Sequence, residues 1–150
     1  MIKKIRILIV ILVLATALFS KVSAQYYNTG FGGRIGSYTG VTGKFFLNEV
    51  NAIEGMVSFP WNNIVLAHVL YEFQKPIRDI EYLSWYIGGG GHVGGNNGAT
   101  ILGLDFIIGT EYTFKELPFC IGLDWKPEIN IVGDQNFWGD KVALTLKYVF

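Results

Sequence analysis

The residues best suited to chemistry are the two histidines, His68 and His92. A histidine within hydrogen-bond reach of a serine and an acid can activate the hydroxyl as a nucleophile. Ser37 and Ser58 fall near the same end of their predicted strands as the histidines, and Ser84 does not. No local motif ties either histidine to a serine, so no catalytic residues are assigned. Two histidines on separate strands, without ligand spacing, are weak evidence for metal, and neither a metal nor a cofactor is expected. Gly88–Gly91 and Gly94–Gly95 look like a phosphate loop at first sight, but no Lys-Ser, Lys-Thr or helix pattern follows. Gly43-Lys44 lacks the upstream glycine of a P-loop, because Tyr38 holds that place. Cys120 stands alone, cannot form an internal disulfide and reads as a small buried side chain.

Turn signals divide the chain after residue 24 into eight strands: Asn28–Ser37, Thr39–Leu47, Ala52–Phe59, Ile64–Lys75, Leu83–Val93, Thr100–Phe114, Phe119–Val132 and Trp138–Phe150. Their faces alternate. Val65, Ala67, Val69, Tyr71 and Phe73 oppose His68, Glu72 and Gln74, and Leu102, Leu104, Phe106 and Ile108 oppose Asp105 and Glu111. Several segments reach the ~9–11 residues that cross a bilayer at a tilt. A soluble barrel turns its apolar face inward; a membrane barrel turns it to lipid and keeps its charges in the lumen. Under the second arrangement Arg34, Lys44, Glu54, His68, Glu72, His92, Asp105, Glu111, Asp124, Lys126, Glu128 and Lys147 form a lumenal ionic network. An eight-stranded barrel is just wide enough for side chains to fill it, so the lumen is expected to be closed to solutes. Pro127 cannot donate a ladder hydrogen bond and predicts a bulge within its strand, or the outer end of the membrane-embedded part. Tyr71, Phe73, Tyr112, Phe114, Phe119, Tyr148 and Phe150 lie near one set of strand ends, and Phe59, Trp61 and Trp138 near the other, as two interfacial aromatic belts would.

At the start, Lys3, Lys4 and Arg6 precede an apolar run from Ile7 to Leu18, and Val22 and Ala24 hold the small positions before a cut. This reads as a signal peptide over residues 1–24, with a barrel over 25–150. Of the 12 basic residues, Lys3, Lys4, Arg6 and Lys21 lie in that leader, leaving eight against 12 acidic ones. A net charge of −4 argues against nucleic acid as a partner. Residues 25–150 contain no apolar run near helix-spanning length, so a membrane location requires a closed barrel.

With its signal peptide, period-2 faces, eight strands and terminal Phe150, the chain resembles the small eight-stranded outer-membrane barrels of the OmpA and OmpX type. The resemblance implies an all-β fold: an antiparallel, transmembrane, up-and-down barrel in the outer membrane of a Gram-negative cell. It also implies that Leu144, Leu146, Tyr148 and Phe150 form a C-terminal assembly signal read by the barrel-insertion machinery. Outer-membrane lipid would be the other partner. Unlike barrels with long adhesive loops, this chain has short predicted outer connections at Tyr38, Pro60–Asn63, Gly94–Ala99 and Gly133–Phe137. The resulting expectation is a non-enzymatic protein with a filled, charged lumen and a structural or envelope-maintenance role. One alternative is a lipid-modifying barrel enzyme, since some small outer-membrane barrels resemble this chain in size and carry a serine, histidine and acid near the outer rim. The other is a soluble periplasmic barrel binding an apolar ligand.

Overall fold

A computed structural model describes residues 26–60, 64–96, 98–133 and 137–150. The expected signal peptide and Trp61 lie outside them.

The described chain contains strands and no helix. The strands are β1 (Thr29–Gly36), β2 (Thr39–Phe46), β3 (Asn51–Phe59), β4 (Val65–Pro76), β5 (Leu83–Asn96), β6 (Ala99–Thr113), β7 (Phe119–Trp125), β8 (Glu128–Val132), β9 (Phe137–Trp138) and β10 (Val142–Val149). Each pairs antiparallel with its sequence neighbour from β1 to β6. β6 then pairs with β7 and β8, β7 with β10, and β10 with β1, closing the sheet. β7 with β8 makes one stave and β9 with β10 another, giving an eight-stranded closed antiparallel barrel.

The interruption between β7 and β8 falls at Lys126-Pro127, because proline has no N–H to offer the ladder. The facing stave breaks alongside it, and Lys126 N donates to Lys141 O at 2.8 Å. The strand predicted over Trp138–Phe150 is therefore two pieces. β5 runs on to Asn96, where the sequence predicted a turn from Gly94 onward. Glycine is a turn signal in isolation, but here it permits strand contact: a Cβ on Gly94 would lie 2.0 Å from Val65 O. The connection before β3 follows ordinary turn chemistry, with Asn48 Oδ1 accepting from Val50 N and Asn51 N at 2.9 Å each.

Inside the barrel the side chains form layers. On β3, β4 and β6 the inward residues run Ser58, Met56, Glu54; His68, Leu70, Glu72; and Asp105, Ile107, then Glu111 beyond Gly109. Met56, Leu70, Tyr86 and Ile107 pack as an apolar layer between two polar ones. We call the end holding the β1–β2, β3–β4, β5–β6 and β8–β9 connections the mouth, and the opposite end, where Tyr27 lies, the base.

Candidate functional site

All twelve residues expected in the lumen are buried. They divide into a base cluster and a mouth cluster, with one further pair, Arg34–Asp124, apart from both.

In the base cluster Glu111 is the hub. Its Oε1 accepts from Lys147 Nζ at 2.6 Å and Lys44 Nζ at 3.0 Å, and its Oε2 from Tyr27 hydroxyl at 2.6 Å and Gln74 Nε2 at 3.0 Å. Lys44 also lies 2.5 Å from Glu72 and 4.0 Å above the Tyr86 ring. Lys147 stands 3.7 Å from Glu54, which also receives the Thr42 hydroxyl. Tyr27, ahead of β1, covers this cluster with Cys120 and Val149, and Tyr26 and Phe46 pack against them. Burial, then the neighbouring Glu111, raises the Tyr27 hydroxyl's pKa well above its ordinary value. Between the clusters Arg34 donates both Nη atoms to Asp124, at 2.7 and 2.8 Å. This bidentate geometry fixes the guanidinium against the carboxylate.

The mouth cluster centres on Asp105. His68 Nδ1 donates to Asp105 Oδ2 at 2.7 Å and His92 Nδ1 to Oδ1 at 2.5 Å. The two histidines face each other across the β4–β5 ladder, with ring centroids 5.4 Å apart. Opposite His92 is Gly103, where a Cβ would lie 2.4 Å from the imidazole Cε1, so only glycine leaves the ring its place. On the far sides of the rings, Ser58 Oγ lies 2.8 Å from His68 Nε2, and Asn130 Oδ1 lies 2.8 Å from His92 Nε2. Lys126 contacts Glu128 and reaches within 3.4 Å of His68 Nδ1.

Ser58, His68 and Asp105 thus form a hydrogen-bonded serine–histidine–acid chain that sequence spacing did not reveal. Its connectivity suits proton transfer from the hydroxyl. Its surroundings do not suit a bulky substrate. The cavity against Ser58 and His68 is about 20 Å³, room for about one water. Ser37, the other rim serine, donates instead to Asp140 O at 2.9 Å, and Ser84 belongs to the base, where it accepts from Gln74 at 2.8 Å. A wider recess of about 720 Å³ opens at the mouth, lined in part by Tyr38, Asn130, Trp138 and Lys141. Lys141 Nζ sits 3.5 Å from the Tyr38 ring centroid and 4.9 Å from that of Trp138. Burial lowers the Lys141 pKa, and burial followed by Glu128 and Asp140 pushes Tyr38 up to about 12.

The exterior is the inverse of the lumen. Among the described residues 33 large hydrophobic side chains are exposed, while the buried set holds 10 hydrophobic residues against 19 polar or charged ones. A water-soluble domain buries its apolar surface; this barrel displays it. Near the base, outward rings meet in series: Phe31 with Phe45, Tyr112 with Phe114, Phe119 with Tyr148, and Tyr148 with Phe150. Leu144 and Leu146 are exposed on the same face of β10 as Tyr148. No family model, curated protein or solved structure matches the chain.

Proposed function

We propose that the protein is an integral outer-membrane β-barrel of a Gram-negative envelope, of the small OmpA and OmpX type, with a structural or envelope-maintenance role and no catalytic activity. The observation that carries this reading is the inverted side-chain distribution: an apolar exterior around a buried ionic interior. In lipid that arrangement costs little, whereas in water the exterior would drive aggregation. The ring series near the base supports it, because aromatic side chains favour the membrane–water interface. The outward row Leu144, Leu146, Tyr148 and Phe150 is the surface we assign to the barrel-insertion machinery, and outer-membrane lipid covers the rest. A soluble barrel wrapping an apolar ligand would need the apolar face inside.

The test is fractionation followed by gels run with and without boiling. The expected result is a protein that stays in the outer-membrane fraction after alkaline wash and shifts mobility on boiling. Release into the soluble periplasmic fraction, with no shift, would refute the reading. The same preparation in planar bilayers should show no stepwise conductance, because side chains fill the lumen.

The Ser58–His68–Asp105 chain favours a second reading, a lipid-modifying barrel enzyme. Its hydroxyl points into the lumen, away from the surface we assign to lipid, so the non-enzymatic reading stands first. Acyl-chain release from lipid A by the wild type, lost in His68→Ala, would reverse that order. No release by the wild type would end the enzyme reading.

A further inference from the structure

Asp105 is the meeting point of two imidazoles that are each fixed from behind. Their Nδ1 atoms converge on the one carboxylate, and the three potential ligand atoms lie within 4.8 Å of one another. Ligating histidines characteristically have the second ring nitrogen held by another polar group, which sets the tautomer and aims the ring. Ser58 Oγ and Asn130 Oδ1 hold the Nε2 atoms here, each at 2.8 Å. The strands add rigidity, since His68 and His92 are direct ladder partners. Lys126, 3.9 Å from Asp105 and in contact with Glu128, and Lys141, which also interacts with Glu128, are the nearby cations.

We propose that His68, His92 and Asp105 form a binding site for a divalent first-row transition-metal ion of the zinc class. Two imidazole nitrogens and one carboxylate oxygen match the donors that such borderline ions take. The ion takes the place of the proton between each Nδ1 and the carboxylate: a neutral ring keeps its proton by moving it to Nε2, and a doubly protonated ring releases one to solvent. The contacts of 2.7 and 2.5 Å then open to admit bonds of roughly 2.0–2.2 Å on each side. A water would fill the fourth position of the coordination. Lys126, 3.4 Å from His68 Nδ1, is the opposing charge, and it turns fully to Glu128, which it already contacts. The site depends on lumen geometry and not on the compartment, so it stands or falls separately from the membrane reading.

The experiment is titration of the folded full-length barrel in detergent with zinc chloride by calorimetry, repeated with cobalt chloride by visible absorption. One equivalent per chain is expected, with cobalt bands of a nitrogen–oxygen site, and both signals should vanish in His92→Gln and Asp105→Asn. Asn130→Ala, which removes only the support behind His92, should weaken binding roughly 10–100-fold. Lys126→Gln should tighten it. Circular dichroism identifies the folded variants, and His68→Gln replaces any ligand variant that fails to fold. A folded wild type that takes up no zinc overturns the proposal, as does uptake undiminished in the folded ligand variants.

Discussion

The two ends of the lumen use the same inward positions of the same strands for different chemistry. At the base, ammonium groups meet carboxylates: Lys44 and Lys147 converge on Glu111, with Glu72 and Glu54 as their further partners, and Tyr27 covers them. At the mouth, the carboxylate is matched by two imidazoles, Asp105 between His68 and His92, beside a cavity and an open recess. Ammonium–carboxylate contacts hold strands together and do little else near neutral pH. Imidazoles can gain a proton, lose one or bind an ion in that range. What separates scaffold from candidate site is therefore the identity of the cation and whether the layer above it is closed.

The comparison breaks most sharply at Glu111. Glu111→Ala removes the acceptor shared by Lys147, Lys44, Gln74 and the Tyr27 hydroxyl, leaving Lys44 on Glu72 and Lys147 on Glu54, and should cost about 3–5 kcal/mol, the range for removing one partner of a buried pair. Unfolding of the reconstituted barrel in urea, followed by gel mobility, measures it. Ser58→Ala at the mouth should cost only about 0.5–1.5 kcal/mol in the same assay, since one hydrogen bond to His68 is lost beside space for a water. Equal losses at the two positions would show that the mouth cluster is as structural as the base.

The smallest effect concerns pH. Tyr38 has a folded-state pKa of about 12 against an ordinary 10.0. A raised pKa gives a stabilising contribution that is complete below about pH 10 and lost as pH climbs through 12. Urea unfolding between those values should therefore lose less stability in Tyr38→Phe than in the wild type. The recess around Tyr38 and Lys141 is the region expected to loosen.

Much of the architecture was legible because alternation is a local property. Asp105 and Phe106 must point to opposite faces of any strand, whichever face proves to be inside. A disturbance at Pro127 was legible, because the missing N–H is written in the residue, but the single strand expected over Phe119–Val132 is two strands in one register. The site was not legible. Ser58, His68, Asp105 and Asn130 come from four staves, and register decides which of them meet. One clue was available: His68 and His92 lie 12 residues on either side of Ile80, so a β4–β5 hairpin centred there makes them partners. Neutral residues escaped notice for another reason. Tyr27, Gln74 and Asn130 carry no charge to mark them, and Tyr27 lies ahead of the first strand.

The alternation of faces also guards the seam where β1 meets β10. Hydrogen bonds between backbones are indifferent to which residues they join, so a ladder displaced by one residue would keep most of them. Side chains are not indifferent, because a displacement by one residue turns every one to the opposite face. In β10 it would carry Thr145 and Lys147 outside and Leu144 and Leu146 inside. Lys147 would forsake Glu111, and Arg34 would face Leu144 or Leu146 in place of Thr145. Closure in a wrong register thus betrays itself through stranded charge, so the ionic interior works as a proofreader for the joining of the barrel's edges.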